Sequence, residues 1–447
     1  MTARYPELQT LLDEAARETA VPGAVVGILR EGEETVLTTG VTNLGSGRPV
    51  REDTLFMIGS TTKTCTAAAL LALAEDGVLD LDEPVVRYLP ELELADPVAR
   101  KEITARHLLT HTAGFLGDRD LETGWGDDAL EAAVGRFAEL PQSFPPGEVF
   151  SYSNTGFVLA GRLAEVLAGA PFEDVVRTRL LEPLGMRDSV FLPWEVLTRD
   201  HVTGHAVRDG VAAVEHRVGL GRAGGPAGGL WSSARDQLRW ARFFLTGETS
   251  GTPPLGDATR EAMWRPQRPA ALPIEEVGLS WLRTRHGDTE VVRHGGNVGF
   301  LQVSEFVTLP GAGMAITVLT NSGGGAALGP RIVDWCVENL AGVPRMPARP
   351  TLAKPVERLA EYAGRYRTGD LAIDVTVSGA ALLARLVFTG DADAAVPPAF
   401  EIAFLDEDGG DIVTRAADPR SRAGRFLRDA RGRITMLEYG GRTAKRD

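Results

Sequence analysis

Two polar residues three positions apart, Ser60 and Lys63, form the most chemically suggestive pattern in this sequence. A serine hydroxyl is a weak nucleophile unless a base lies within hydrogen-bond reach. Residues three apart near a helix start face the same side, so the Lys63 amine can reach the Ser60 hydroxyl. Burial disfavours a charged lysine, and a neutral amine can accept the serine proton. The pair predicts covalent acyl-enzyme chemistry, although a capping serine with an exposed lysine would show the same pattern.

Two further segments carry groups that suit the same chemistry. The first, Tyr152–Asn154, follows a proline-rich loop, and the second, His294–Gly296, ends a predicted strand. A tyrosine can relay a proton to a leaving group, while the Asn154 amide can orient Lys63 and a substrate amide. Glycines let a substrate backbone approach a strand edge closely.

The three motifs together, in this order and at these separations, resemble those of the serine β-lactamase and penicillin-binding-protein superfamily. The resemblance is to the class C-like branch, which includes family VIII esterases, D-amino-acid peptidases and penicillin-binding-protein-type thioesterases. It covers roughly residues 5 to 342. Three supporting stretches are also similar to that family: Arg106–Phe115, Leu181–Met186 and Ala227–Asp236.

The resemblance implies a role for each motif residue. Ser60 would attack a carbonyl carbon as the nucleophile. The other catalytic residues implied in this way are Lys63, Tyr152, Asn154 and His294.

The remaining site residues are also implied by the resemblance. Backbone N–H groups of Ser60 and Asn297 would form the oxyanion hole, and Gly295 and Gly296 would contact substrate. The third motif departs from the family's more usual Lys-Thr-Gly, because His294 replaces the lysine and Gly295 the hydroxyl residue. A histidine is mostly neutral at pH 7, which weakens the expectation of β-lactam or free-carboxylate recognition.

An α+β fold must position these motifs. The resemblance implies an antiparallel sheet flanked by helices, with a helical subdomain opposite and the site between them. Periodicity predicts a helix over residues 6–20, an Ala/Leu-rich helix after Ser60 and a helix from Ile332 to Leu340. Residues 85–190 are predicted to be mainly helices and loops. The predicted strands are Ala24–Leu29, Thr35–Thr39, Glu290–Arg293, Leu301–Thr308 and Met314–Leu319, with glycine-rich turns at His294–Gly299 and Pro310–Gly313.

The catalytic domain is expected over residues 1–343. Residues 344–355 have the proline-rich composition of a semi-rigid linker. Residues 356–447 alternate in short runs between Gly/Asp turns, which predicts a small β-barrel or sandwich, lipocalin-like by resemblance. The predicted strands of this domain are Leu371–Val377, Leu382–Phe388, Phe400–Leu405, Asp411–Thr414, Gly424–Arg428 and Ile434–Tyr439.

Charge and composition exclude two classes of binding partner. A net charge of −14 disfavours nucleic acid, and no run approaches the ~20 apolar residues of a membrane span. The N-terminus lacks the pattern of a secretory signal, so a cytoplasmic location is expected.

Cys65 and Cys336 are predicted to be reduced core thiols. His201 and His205 lack a further ligand and favour a loop or strand pairing over a metal site, and no cofactor is expected. His107 and His111, four positions apart, are expected to cap and pack the loop below the site.

The expected activity is a serine hydrolase or acyltransferase. A β-rich C-terminal domain behind this catalytic domain looks like stand-alone penicillin-binding-protein-type thioesterases, which release nonribosomal peptides by head-to-tail macrocyclisation. A peptidyl or ester substrate is then expected, with a peptide-synthetase carrier protein as a partner and Arg442 contacting substrate. A cytoplasmic carboxylesterase, D-aminopeptidase or β-lactamase-like hydrolase is the alternative, and a catalytically inactive binding protein a third.

Overall fold

The computed structural model describes residues 4–115, 122–216, 220–344, 350–352, 356–369, 371–388, 399–406, 410–414 and 423–447. Its α-helices are α1 Pro6–Glu18, α2 Thr62–Glu75, α3 Pro97–Glu102, α4 Ala105–Leu109, α5 Ala129–Val134, α6 Asn154–Ala168, α7 Phe172–Val176, α8 Glu182–Leu184, α9 Pro193–Val196, α10 Gly225–Gly228, α11 Ala234–Thr246, α12 Asp257–Trp264, α13 Gly325–Asn339 and α14 Val356–Leu359. No helix in these ranges is both long and apolar enough to cross a bilayer.

The strands divide between a large sheet, two short ribbons and a barrel. They are β1 Gly23–Arg30, β2 Glu33–Gly40, β3 Phe56–Met57, β4 His205–Arg208, β5 Val211–Val214, β6 Trp231–Ser232, β7 Arg268–Pro269, β8 Glu276–Val277, β9 Leu282–His286, β10 Thr289–Val298, β11 Gln302–Leu309, β12 Met314–Thr320, β13 Gly364–Thr368, β14 Leu371–Ser378, β15 Ala381–Phe388, β16 Phe400–Phe404, β17 Asp411–Thr414, β18 Gly424–Arg428, β19 Ile434–Tyr439 and β20 Arg442–Arg446.

The large sheet joins the two ends of the first 340 residues. Within the described ranges its strand order is β2-β1-β12-β11-β10-β9-β8-β7, and neighbouring strands pair antiparallel. Strand β1 is apolar at nearly every position because both faces are covered. Val26 and Ile28 pack with α1 and α13, whereas Val25 and Leu29 face the core that contains α2 and α11. The predicted strands Ala24–Leu29 and Met314–Leu319, from the two ends of this region, therefore pair in one sheet.

Helix α2 lies at the centre of the helical side of the molecule. It is buried from Thr62 to Leu73, so no polar face is needed and its sequence is apolar all round. Its neighbours include α6 and α10, which carry other polar groups of the site. The buried helix therefore gives the residues at its start a fixed position.

The C-terminal region forms a closed antiparallel barrel. Its described strands run in the order β13 to β20, and β13 closes on β20 through Tyr366↔Arg446 and Arg367↔Lys445. The interior is filled by aromatic and aliphatic side chains, which include Tyr362, Tyr366 and Phe426. The C-terminal domain is therefore a barrel and not a sandwich. It contains the six strands that the sequence predicts and two further strands, β13 and β20.

Two predictions of element boundaries need correction. Residues 294–298, predicted as a turn, continue strand β10, and the turn begins at Gly299, where φ is +56°. The glycines remain in the strand because Gly296 lies against the backbone of Ile58, where an added Cβ would come within 1.9 Å of the Ile58 oxygen. Helix α13 begins at Gly325, earlier than the predicted Ile332. In the predicted linker, 345–349 and 353–355 lie outside the described residues.

Candidate active site

Ser60 lies in a tight turn directly before α2. Residues Gly59–Thr61 form one 3₁₀ turn, and Lys63 follows in the first turn of the helix. Gly59 has φ +54°, a conformation that glycine adopts without the Cβ strain of other residues. A Cβ there would also come within 2.9 Å of the Asn297 nitrogen, so the turn and strand β10 are in close contact. Ser60 is half-buried and faces the cleft, as the sequence predicts.

Lys63 is fully buried and held by three oxygen atoms. Its Nζ lies 3.0 Å from Ser60 Oγ, 2.6 Å from Asn154 Oδ1 and 2.6 Å from the Ala227 carbonyl oxygen. An ammonium group can donate to all three. A neutral amine can donate to Asn154 and Ala227 and use its lone pair to accept from the Ser60 hydroxyl. The same geometry therefore satisfies the lysine before and after it takes a proton from Ser60.

Tyr152 and Asn154 are positioned by the start of α6. Ser153 caps this helix, with its Oγ accepting from the Gly156 N–H at 3.1 Å, and Asn154 is the first helical residue. The Tyr152 ring centroid lies 5.0 Å from Lys63 Nζ. Both side chains thus converge on the lysine, as the motif predicts.

His111 lies beneath Tyr152 and was predicted only to pack the loop below the site. Its ring stacks on the tyrosine with centroids 4.2 Å apart and planes at 25°. Its Nδ1 accepts from the Ser153 N–H at 3.1 Å, and its carbonyl accepts from the Ser151 N–H at 2.9 Å. His111 has φ +56°, which a non-glycine residue adopts only at a cost. It therefore fixes the segment that carries the tyrosine.

His294 occupies the adjoining wall and is almost completely buried. Its Nδ1 lies 2.8 Å from the Gly295 oxygen, and since a carbonyl only accepts, that nitrogen carries the proton. The unprotonated Nε2 finds no hydrogen-bond partner among the described residues. Burial, together with the nearby Lys63 charge, lowers the pKa of His294 to about 3. The third motif therefore presents a neutral acceptor where the family's usual motif has a cation.

The edge of β10 runs beside the nucleophile. Pairing with β9 ends at Arg293↔Leu282, so from His294 onward this edge of the strand faces the Ser60 turn. The main-chain nitrogen of Asn297 approaches Gly59 closely there. This brings the two predicted oxyanion residues, Ser60 and Asn297, to one side of the cleft.

The C-terminal barrel supplies another part of the wall of the active-site cleft. The β19–β20 turn is made by Gly440 and Gly441, both at positive φ, as a tight two-residue hairpin requires. The Gly441 oxygen accepts from the Tyr152 N–H at 3.0 Å. The Arg442 guanidinium carbon lies 5.3 Å from the Tyr152 ring centroid. Arg442 is thus placed beside the catalytic motifs although it follows Ser60 by most of the chain.

Together these groups line one open cleft of about 1030 Å³. Of the predicted site residues, the cleft is lined by Ser60, Tyr152, Asn154, His294, Gly295, Gly296, Asn297 and Arg442, with Lys63 buried directly behind Ser60. Sequence analysis missed the Ala227 carbonyl, because a backbone oxygen leaves no signal in residue type. The Ala227–Asp236 stretch that resembled the family was the available indication of its importance.

The weaker candidates of the sequence have structural explanations. His205 bonds to the Asn321 carbonyl through Nδ1 and to the Leu44 N–H through Nε2, so both ring nitrogens are occupied in a strand pairing. Cys65 and Cys336 are free and buried, and burial raises the pKa of each thiol to about 12. Neither thiol is placed to react at neutral pH.

We predict that acid destabilises the protein through His111 and His294. Burial and the charges of Lys63, His294 and Arg442 hold the pKa of His111 well below 6.5. Between pH 6.5 and about 3 the unfolded chain therefore binds protons at His294 and His111 that the folded chain excludes. Stability should be flat above pH 6.5 from this source and fall by up to about 1.4 kcal/mol per pH unit for each histidine below it.

The measurement is the denaturant midpoint between pH 4 and pH 8 for wild type, His294→Asn and, as a control, His216→Asn on the exposed surface. His294→Asn should show a shallower acid slope, and His216→Asn the wild-type slope. Equal slopes in all three proteins would contradict the assignment of a buried neutral His294.

The comparisons with known proteins identify the family of this chain. A model of the beta-lactamase family matches residues 8–333. The chain belongs to the beta-lactamase family, whose relatives here include an esterase, β-lactamases and penicillin-binding proteins, so it is of the serine hydrolase type. Penicillin-binding protein 4 of Amycolatopsis lactamdurans is 33% identical over 372 residues, 80% of this chain and 96% of that protein. Esterase EstB of Burkholderia gladioli is 38% identical over 205 residues, 42% of this chain and 52% of the esterase.

The solved structure of SurE extends the similarity through the barrel. It superposes with a TM-score of 0.76 at 28% identity and covers 99% of this chain and 98% of SurE. A structure of SurE with D-Leu matches with a TM-score of 0.74, also at 28% identity and over 99% of both chains. The combination of a beta-lactamase-like region with the barrel is therefore shared with SurE.

Proposed function

We propose that this protein is a stand-alone thioesterase that transfers a peptidyl group to Ser60 and releases it by head-to-tail macrocyclisation. The observation that carries the proposal is the barrel turn built into the cleft wall beside Tyr152, in an architecture shared with SurE over 99% of the chain. Gly440 and Arg442 of the barrel line part of the cleft, whose volume of about 1030 Å³ gives a long peptide room to fold back. The structure of SurE with D-Leu supports a D-residue in the substrate.

Acylation starts at Ser60. Lys63 Nζ, 3.0 Å from the hydroxyl, takes the proton as Ser60 Oγ attacks the thioester carbonyl. Asn154 Oδ1 and the Ala227 carbonyl hold the amine in place throughout, so no rearrangement of the lysine is needed. The thiol of the carrier leaves with a proton that Tyr152 relays.

Charge on the carbonyl oxygen develops beside strand β10. The backbone N–H groups of Ser60 and Asn297 stabilise it, and donors of this kind typically contribute about 3–4 kcal/mol each. Gly295 and Gly296 leave the strand edge open to the peptide backbone. The unprotonated Nε2 of His294 accepts a hydrogen bond from a substrate donor.

Deacylation depends on which nucleophile reaches the ester. The peptide's own amino terminus, held near the acyl carbon, outcompetes water because intramolecular attack has a high effective concentration. Arg442, on the barrel turn and above the Tyr152 ring, holds backbone carbonyls of the folded-back peptide. The proton of the attacking neutral amine passes through Tyr152 and Lys63 to Ser60 Oγ, so the amide bond forms as the Ser60 ester bond breaks and the free serine is restored.

Product identity tests the proposal. The substrate is a linear peptidyl N-acetylcysteamine thioester with a free amino terminus and D-Leu as its last residue, and products are separated by liquid chromatography and mass spectrometry. The cyclic product, lighter than the linear acid by one water, should dominate. The matched L-Leu thioester should be processed at least about tenfold less efficiently, the scale expected from one misplaced side chain.

A carboxylesterase is the second candidate, favoured by the 38% identity to esterase EstB over residues that include less than half of this chain. An esterase would convert both thioesters mainly to linear acid and turn over simple p-nitrophenyl esters faster than either. That result would replace the macrocyclase proposal while leaving Ser60 as the nucleophile. Intracellular action and docking of a carrier protein are part of the macrocyclase proposal and would lose their support with it.

A further inference from the structure

A second cavity, of about 400 Å³, lies next to the cleft. Strand β10 borders both spaces, since Asn297 lines the cleft and Val298 lines the cavity. The same division occurs on β11, where Gln302 lines the cavity and Val303 the cleft. We call this space the side cavity, and it continues the line of β10 beyond the predicted oxyanion residue.

The wall of the side cavity is mainly apolar. Its hydrophobic lining comes from Met57, Trp125, Phe191, Leu192, Pro193, Val196, Leu197, Val202, Val214, Leu220, Trp231, Val298 and Leu301. Two charged side chains of the wall, Arg222 and Glu173, pair with each other, because Arg222 Nε and Nη2 lie 2.9 Å and 3.2 Å from the two Glu173 carboxylate oxygens. Glu215 also lines the space. The apolar part of the wall therefore favours an apolar ligand group.

The side-chain amide of Gln302 lines this space and uses its oxygen within the protein. Gln302 is 6% exposed, and its Oε1 accepts from the Met57 N–H at 2.8 Å, which fixes the orientation of the amide. No hydrogen bond from its Nε2 to a described residue is present, although Gln302 lines the side cavity. A fixed amide donor in an apolar wall suits a ligand that combines an apolar body with a carbonyl oxygen.

We propose that the side cavity is a specificity pocket for a large apolar side chain of the acyl donor, with Gln302 Nε2 donating to a carbonyl of the same donor. The inference rests on the proposed acyl-transfer function and adds the substrate preference. Its main support is continuity: the cavity begins one residue past Asn297, where the acyl carbonyl is held. The helix whose Ala227 carbonyl contacts Lys63 also lines it, through Gly225.

Gly225 provides the sharpest test. It has ordinary helical angles, φ −46° and ψ −53°, and a Cβ there would meet no described atom outside its own helix within 4 Å. Gly225→Ala, Gly225→Leu and Gly225→Phe should therefore fill the side cavity progressively without straining the backbone. Gln302→Glu keeps an oxygen for the Met57 N–H and replaces the amide donor with a carboxyl group.

The readout is the rate of Ser60 acylation, followed by intact mass, with N-acetylcysteamine thioesters of N-acetyl-D-Ala, D-Val, D-Leu and D-Phe. Wild type should prefer the larger donors, by about fourfold for each buried methylene. Gly225→Phe should lose at least about tenfold with D-Phe and stay within about twofold with D-Ala. Gln302→Glu should slow every donor that carries the acetyl carbonyl.

Loss of the same size for all four donors in Gly225→Phe, or no preference in wild type, would overturn the pocket assignment. If Gly225→Phe does not fold, the Gly225→Leu variant and the wild-type donor series give the same decision. These donors cannot cyclise, so the measured preference for large side chains does not depend on which product the peptidyl thioester gives. A linear product in the cyclisation experiment would not contradict the side-cavity assignment. Equal acylation rates for all four donors would not contradict cyclisation.

Discussion

Ser60→Ala is expected to abolish acyl-enzyme formation and to lower turnover by on the order of 10⁶-fold, the loss seen when the nucleophile of a serine protease is removed. The physical reason is that the Ser60 hydroxyl lies 3.0 Å from Lys63 Nζ, while Asn154 and Ala227 hold the amine toward it. The residual rate should reflect only binding and the oxyanion donors.

The measurement is intact mass after incubation with a fluorophosphonate probe, together with thioester turnover. Wild type should gain one probe mass, and Ser60→Ala none. Ser378→Ala, an exposed serine on barrel strand β14, is the matched control and should be labelled like wild type. Labelling of Ser60→Ala at the wild-type rate would require a different nucleophile, and absence of labelling in wild type would favour an inactive binding protein.

Lys63→Met is expected to lower turnover by about 10²–10⁴-fold, the contribution typical of a positioned proton acceptor. Methionine fills the same space between the Tyr152 and Phe157 rings, which lie 5.0 Å and 5.5 Å from Lys63 Nζ. It removes both the proton acceptor and the hydrogen bonds of the amine to Ser60, Asn154 and Ala227. Folding should persist, because replacing a buried charge by an apolar chain avoids its desolvation cost.

Turnover and thermal melting of Lys63→Met should be measured beside Lys101→Met, whose lysine is exposed on α3. Lys101→Met should retain wild-type activity. A second variant, Lys63→Arg, keeps a positive charge that is never neutral at working pH, so it should fail as a base. Full activity in Lys63→Arg would show that the lysine acts only as a fixed charge and that Tyr152 takes the proton.

The local parts of this site could be predicted from the sequence. Ser60 and Lys63 are three positions apart at a helix start, where chain geometry alone brings the side chains together. Tyr152 and Asn154 belong to another element, and recognising them depended on the resemblance between motifs. The boundary error at 294–298 arose because consecutive glycines usually mark a turn. Here they allow β10 to approach the segment before Ser60.

Long-range contacts could not be predicted in this way. The hydrogen bond from Tyr152 to Gly441 joins two backbone groups, and every residue except proline carries both kinds of group. The stacking of His111 on Tyr152 depends on the fold of two loops, so the sequence shows only a histidine in a packed segment. Arg442 could be proposed as a contact, but its place above the Tyr152 ring required the closed barrel.

The β19–β20 hairpin of the barrel is the last described element to be synthesised, although it contacts the loop that carries Tyr152. Thr443 donates to the Ser151 hydroxyl from a position 292 residues later in the chain, and Gly441 beside it accepts from Tyr152. During translation Ser60 and Lys63 therefore leave the ribosome long before the segment that secures the tyrosine. Domains generally fold as units from the N-terminus. The beta-lactamase-like region can thus fold early, while its cleft is completed only after strand β20 has been synthesised and the barrel has closed.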